Sequence, residues 1–173
     1  MSAYAVRVAV ADDGPGIARV HVQGWHEAYT GRVPGALLAR MDVVVSSARW
    51  TARLRGDVPA GGEPLGQTWV AVHGGEIVGF ASAGPCRDPD RPASGAELYA
   101  LYVLAAHYGT GAGAALLDAA LQGAAASLWV LDDNPRARAF YAKHGFRADG
   151  ATRDDARGGA SLHEVRLTRD GDA

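Results

Sequence analysis

The run Tyr99-Ala100-Leu101-Tyr102-Val103-Leu104, followed by His107-Tyr108-Gly109-Thr110-Gly111-Ala112-Gly113-Ala114-Ala115-Leu116-Leu117, constrains the fold more than any other. An apolar strand-forming segment passes through a glycine-rich turn into the start of an apolar helix. A helix start carries unpaired N–H groups and the positive end of the helix dipole. Glycines without side chains let an anion approach those N–H groups closely. The turn therefore predicts a phosphate or pyrophosphate ligand, or else a tight strand-to-helix connection that binds nothing. No Gly-Lys-Ser or Gly-Lys-Thr follows, so it is not a Walker A loop. Gly109, Gly111 and Ala114 fit a loose Gly-x-Gly-x-x-Ala pattern, and Asp132 stands about 20 residues further on, where a dinucleotide fold places an acid. An NAD(P)-binding oxidoreductase using the Gly109–Ala114 turn thus stays open. The late position of the turn weighs against it, as do residues 105–108 between strand and turn.

The other elements follow from periodicity and punctuation. Tyr4 to Ala11 reads as a strand with Val6, Val8 and Val10 on one face. Ile17 to Tyr29 has a helical period at Ile17, Val20, Gly24 and Ala28. Helices are also expected from Val33 to Met41 and from Val44 to Leu54, then a loop from Gly56 to Gly66. Gln67 to His73 and Glu76 to Ala83 are strands joined by Gly74-Gly75, a hairpin signal because glycine accepts positive φ. A polar loop from Gly84 to Gly95 precedes the strand Ala96 to Leu104. Simple alternation puts Glu97, Tyr99, Leu101 and Val103 on one face of that strand. A helix from Ala114 to Leu121 and a strand from Ser127 to Leu131 come next. Another extended segment starts at Phe146, the last strand spans Ser161 to Leu167, and Thr168 to Ala173 is a polar tail.

A second motif is Asp133-Asn134-Pro135-Arg136-Ala137-Arg138-Ala139-Phe140-Tyr141-Ala142-Lys143-His144-Gly145-Phe146. Asn134 suits an N-cap, Pro135 the first helical position and Gly145 the stop. Asn134 and Tyr141 are seven residues apart and share a helix face.

Together the two motifs resemble the GNAT superfamily of N-acetyltransferases, over roughly Glu97 to Phe146. Tyr108-Gly109-Thr110-Gly111-Ala112-Gly113 is similar to the family's pattern of Gln or Arg, two residues, Gly, one residue, then Gly or Ala. Tyr108 departs from it. The second helix fills every fixed position of Asn-x-x-Ala-x-x-x-Tyr-x-x-x-Gly-Phe at Asn134, Ala137, Tyr141, Gly145 and Phe146. The resemblance implies a single α/β domain over residues 1–173, with a mixed central sheet of about six to seven strands and helices on both faces. The acceptor-side half would span about 1–95 and the acetyl-CoA-binding core about 96–150. It further implies that Ala96–Leu104 and Ser127–Leu131 splay apart to admit the pantetheine arm. Backbone groups of Leu101, Tyr102 and Val103 would pair with that arm, and amides from Tyr108 to Gly113 would hold the pyrophosphate. Asn134 would bond the pantetheine, and Tyr141 would protonate the departing thiolate. Glu97 would deprotonate the acceptor amine directly or through water. The implied reaction is direct acetyl transfer in a ternary complex, to a primary amine of a small molecule or peptide. The residues alone equally allow a packing Tyr141, a simple N-cap at Asn134 and a solvated carboxylate at Glu97. A non-catalytic CoA-binding sensor is a further alternative.

The stretch Val20 to Leu38 is similar to the first-helix region of bacterial members, which lines the acceptor pocket. Trp25 and Tyr29 share a helix face and are the candidate substrate-binding residues, or core. Glu27 on the same helix could attract a cationic amine, or be simply solvated.

Composition narrows the rest. A formal net charge of -2 gives no electrostatic argument for nucleic acid or membrane as a partner. No uncharged apolar run reaches the roughly 18 residues of a membrane span, and the first eleven residues lack the pattern of a signal peptide. A lone cysteine, Cys86, suits a reducing compartment. A cytoplasmic location is the expectation, and a homodimer is left open. The six histidines form no metal set, since His21 and His26 are five apart, so no metal is expected. Cys86 has no Cys–His motif, so a covalent acetyl-cysteine is not expected.

Overall fold

Glycine placement and cap chemistry fix the element boundaries. In the computed structural model, residues 4–57, 66–92, 95–157 and 160–171 are described. The chain runs β1 (Ala5–Val8), α1 (Gly14–Tyr29), α2 (Gly35–Leu38), α3 (Val43–Arg55), β2 (Gln67–His73), β3 (Glu76–Pro85) and β4 (Ala96–Val103). It continues with α4 (Ala112–Leu121), β5 (Ala126–Leu131), α5 (Pro135–Lys143), β6 (Arg147–Arg157) and β7 (Ala160–Arg169). Gly74 and Gly75 take φ of 58° and 84° and turn β2 into β3, as the diglycine predicts. Asp42 Oδ1 accepts from Val45 N at 2.8 Å to start α3, and Gly56 ends it at φ 83°. Most of the expected 56–66 loop lies outside the described residues.

The seven strands form one sheet in the order β1-β2-β3-β4-β5-β7-β6. Every neighbouring pair is antiparallel except β4 and β5. Helices cover both faces, matching the predicted mixed sheet. On one face α4 sets Leu116, Leu117 and Leu121 against Leu98, Val103, Leu128, Val130 and Leu167, with Tyr141 and Phe146 closing that core. On the other, Ile17, Ala18 and Val20 of α1 and Trp50 of α3 pack on Val70 and Phe80. A third group joins Trp25, Val33 and Leu38 to Leu131 of β5 and Leu162 of β7.

Four expectations are corrected. The first strand is shorter than Tyr4–Ala11, because Asp13 draws the chain into a 3-10 turn at Ala11–Asp13. Val6 packs on the core, while Val8 and Val10 are exposed. Helix α1 starts three residues before Ile17, since Pro15 fits the first helical turn. Thr168 and Arg169 are not tail but pair with Ser127 and Ala126. Finally, β4 does not alternate simply. Ser82 pairs with Ala100 and Ala83 with Leu98, so Tyr99 is an extra residue in a β-bulge. Leu98, Leu101 and Val103 consequently join the α4-side core, and Ala100 and Tyr102 the α1-side core. Glu97, adjacent to Leu98, lies on the α1 side, opposite to Leu101 and Val103.

Arg7 anchors the 3-10 turn, donating through Nη1 and Nη2 to Asp13 at 2.6 and 2.8 Å, while Val10 N donates to Asp13 Oδ2 at 2.8 Å. The Arg7 hydrogen bonds outweigh the opposing effect of burial and hold the Asp13 carboxyl below its ordinary value. A depressed carboxyl stabilises the fold above its unfolded-state pKa and loses that contribution as pH falls through its folded value. Asp13→Asn should therefore cost about 1 kcal/mol at pH 7, the modest end for a charge-assisted pair whose arginine is half exposed. Urea melts of both proteins should converge at a pH below about 4.

Candidate active site

A cleft opens because β4 and β5 pair over only three residues. Ala96, Glu97 and Leu98 align with Ala126, Ser127 and Leu128, after which the strands diverge although both continue. The predicted splay is therefore present. A cavity of about 530 Å³ occupies this wedge. Its walls run from Gly109, Gly111 and Gly113 at one end, past Leu101, Tyr102, Val103, Asn134 and Tyr141, to Glu97 and Arg87 at the other. Apart from Thr110 and Ala112, which do not line it, the predicted cofactor residues and Glu97 thus face one space, with Trp25 and Tyr29 also on its wall.

At the turn, Gly109 and Gly111 have φ of 74° and 95°, the left-handed region that suits glycine. Gly111 is the N-cap of α4, and no side chain caps that helix among the described residues. The first-turn amides therefore depend on another acceptor. A Cβ at Gly113 would lie 3.3 Å from the Phe140 ring, so a larger residue there would push Phe140 of α5 away by a few tenths of an ångström. The turn is also braced. Ala105 N donates to Glu27 Oε2 at 2.8 Å, and the Arg136 guanidinium lies 3.9 Å from the centre of the Tyr108 ring. Glu27 therefore supports the turn's approach. Burial, the largest effect on it, pushes the Tyr108 phenol up.

Asn134 caps α5: its Oδ1 accepts from Ala137 N at 3.1 Å. The side-chain amide N–H₂ is then the part left to face a ligand. Tyr141 is buried, and burial pushes its phenol well above the ordinary value, with the nearby Tyr29 adding in the same direction. Asn134 thus caps α5 and also lines the cavity.

Glu97 is 2% exposed and heavily bonded. Arg87 reaches it three ways: N and Nε donate to Oε2 at 2.8 and 3.2 Å, and Nη2 to Oε1 at 2.7 Å. The same guanidinium stacks 4.0 Å over the Tyr99 ring. Glu97 is thus no solvated edge carboxylate.

The family model for the acetyltransferase (GNAT) domain matches residues 64–148. "Probable N-acetyltransferase Rv2775" of Mycobacterium tuberculosis is 32% identical over 152 residues, covering 85% of this chain and 82% of that one. The chain belongs to the GNAT family. It is accordingly an acetyl-CoA-dependent N-acetyltransferase. "Uncharacterized N-acetyltransferase YuaI" of Bacillus subtilis is 34% identical over 137 residues, with coverages of 75% and 73%. The solved structure of yncA from Salmonella typhimurium with acetyl-CoA has a TM-score of 0.68 at 20% identity, covering 98% of this chain and 95% of that one.

The GNAT fold removes the dinucleotide reading of the Gly109–Ala114 turn. A doubly wound dinucleotide fold is built on parallel strands, whereas here a single adjacent pair is parallel. The residues also fit acetyl-CoA as donor. The helix start lacks a side-chain cap, glycine gives backbone access, and the edge of β4 beyond Leu98 is not engaged by β5.

Trp25 and Tyr29 are both wall and core. Their ring centroids are 4.7 Å apart, and Trp25 is 6% exposed among Val33, Leu38, Leu131 and Leu162. Sequence reasoning missed the charged floor on this side of the sheet. Arg153 of β6 donates to Glu164 of β7 at 2.7 Å and stacks 4.3 Å from Trp129 of β5, and all three line the cavity. Strand alternation could flag each as solvent-facing, but only cross-strand register brings them together.

Gly111→Ala should cost about 1 kcal/mol of stability through its positive φ, with no steric clash to add to it. Calorimetric titration with CoA should show at least about tenfold weaker binding, because any shift of the turn misaligns several amides together. Unchanged affinity would take the turn out of cofactor binding.

Proposed function

We propose that this GNAT enzyme acetylates a primary amine of a small molecule or peptide by direct transfer within a ternary complex. The observation that carries the reading is one continuous cleft with a phosphate-type turn at one end, a buried phenol beside it and an anchored carboxylate at the vertex. Amides from Tyr108 to Gly113 grip the pyrophosphate, and backbone groups of Leu101 to Val103 pair with the pantetheine arm as an added strand would. The Asn134 amide bonds the same arm.

Transfer requires a neutral amine. Glu97, or a water held at its Oε1, takes the amine proton, and the Arg87 bonds fix the carboxylate in one orientation. As the N–C bond forms, a backbone N–H near Val103 stabilises the oxyanion. As the C–S bond breaks, Tyr141 gives its proton to the sulfur. Burial acts on both partners of this step. It raises the Tyr141 pKa, which leaves the phenol protonated at neutral pH but makes it a weaker acid, and it raises the proton affinity of the expelled thiolate in the same direction. Trp25 and Tyr29 shape the acceptor end. In this reading the whole chain is one transferase unit, with acceptor-side residues about 1–95 and cofactor core about 96–150, working in the cytoplasm.

A free-thiol assay with acetyl-CoA and a panel of primary amines tests the reading. Binding of CoA without thiol release for any amine would instead mark a non-catalytic sensor. With an active amine in hand, Tyr141→Phe should lower kcat roughly 100-fold while CoA affinity stays within about threefold; equal activity would remove the phenol from the mechanism. Because its pKa is raised, Tyr141 loses no proton below the usual phenol value, so wild-type kcat should not fall between about pH 8 and 10. Glu97→Gln should lower kcat/KM roughly 100-fold. An unaltered kcat/KM would point to a different base.

A further inference from the structure

The segment of chain that meets the glycine turn from farthest away in sequence is the residue before β1. Tyr4 is buried, and its hydroxyl donates to Thr110 Oγ1 at 2.7 Å. Thr110 Oγ1 donates in turn to the carbonyl oxygen of His107 at 2.7 Å. The Tyr4 hydroxyl also lies 3.0 Å from His107 Nδ1. A hydroxyl has one proton to give. Since Tyr4 spends its proton on Thr110, the contact with His107 must be donated by the imidazole Nδ1–H. The three groups close a ring: imidazole to phenol, phenol to threonine, threonine back to the main chain of the same histidine. The Tyr4 ring also packs against His107 and His73, at centroid distances of 5.7 and 5.2 Å.

This ring spans the turn. His107 ends the 3-10 segment that leaves β4, and Thr110 lies between the two left-handed glycines, Gly109 and Gly111. Two glycines with positive φ leave a backbone with many alternative shapes, so something must select one. Glu27 fixes the entrance of the turn at Ala105, and α4 fixes its exit. Between those points, Tyr4 ties residues 107 and 110 to each other and to the sheet edge.

We infer that Tyr4 is a positioning residue for the pyrophosphate turn: its hydroxyl, bonded to His107 and Thr110, holds the amides from 108 to 113 in the arrangement that grips the diphosphate. The inference rests on the proposed assignment of that turn. It makes Tyr4 matter to the nucleotide half of the donor and not to the pantetheine half, which lies along β4.

The test is calorimetric and needs no acceptor. Binding of CoA, of 3′-phosphoadenosine 5′-diphosphate and, by competition, of S-acetylpantetheine is measured on the full chain and on Tyr4→Phe, which keeps the ring packing. Affinity for CoA and for the nucleotide should fall about five- to twentyfold, as for loss of one or two buried hydrogen bonds, with S-acetylpantetheine unchanged. Thr110→Val should weaken the nucleotide similarly, and Tyr4→Phe with Thr110→Val should be no worse than the more damaging single change, since all act through one ring. Equal losses for both halves would show a general defect of the fold and overturn the inference, as would nucleotide affinity within twofold of wild type. Wild-type protein that bound no CoA would sink the transferase reading itself, before Tyr4 came into question.

Discussion

The separation of β4 from β5 is the constraint on which the site depends. Parallel neighbours in a continuous sheet would satisfy each other's backbone groups along their whole length. Here they do so from Ala96 to Leu98 and then part. The bulge at Tyr99 falls where they part, and a bulge bends and twists its strand. Beyond it, β4 keeps β3 on one side and presents its other edge to the cavity. An exposed edge is usually a liability, but inside a cleft it is a template for an extended ligand. The bulge also exchanges faces, sending Glu97 toward α1 while Leu101 and Val103 stay under α4. One inserted residue therefore both opens the wedge and puts a carboxylate at its vertex on the acceptor side.

That carboxylate is set by a second layer of charges. The loop after β3 carries Arg87, and the residues that follow are tied down by Arg166 of β7. Its guanidinium donates to Asp90 at 2.7 Å through both Nη atoms, to Asp149 at 2.7 Å and to Asp88 at 3.2 Å. The Asp90 bond is the largest of the effects that raise the Arg166 pKa, against the opposing cost of burial. Asp88 in turn accepts from Trp129 Nε1 at 3.0 Å. Asp88 and Asp90 are thus tied to Trp129 of β5 and Arg166 of β7 by charge-assisted hydrogen bonds. Arg87 can then hold Glu97 in one place, as the proposed proton-accepting role would need.

Much of this was legible because the informative signals are local. Gly74-Gly75, the 108–113 turn and the Asn134 cap each act through the backbone within a few residues, and all appear where the sequence puts them. Tyr99 defeats the same reasoning. A bulge exists only relative to a partner strand, and nothing in Glu97-Leu98-Tyr99-Ala100 marks which residue will be skipped opposite Ser82 and Ala83. The pairing of Arg153 with Glu164, and of Tyr4 with residues 107 and 110, likewise depends on contacts made across the sheet. Glu27 illustrates a third kind of miss. Its position on α1 was readable, but its acceptance of the Ala105 N–H requires knowing that the 3-10 segment passes over that helix.

Burial of Tyr141 ties the two halves of the mechanism together. A phenol in water would be a poor partner for a thiolate, since water would solvate the sulfur as it left. In the cleft, the phenol and the sulfur lose solvent together: proton transfer exchanges a thiolate for a phenolate, one negative charge on each side, and burial raises the proton affinity of both. The same dryness that raises the Tyr141 pKa raises the proton affinity of the leaving sulfur, so burial acts on donor and acceptor in the same direction. Tyr141 is buried in the α4-side core with Phe146, and Tyr29 of the acceptor side adds to its upward shift. In the proposed mechanism, then, Tyr29 belongs to the amine pocket and also bears on the phenol that serves the sulfur, so a change at Tyr29 should be felt at the leaving group as well as at the substrate.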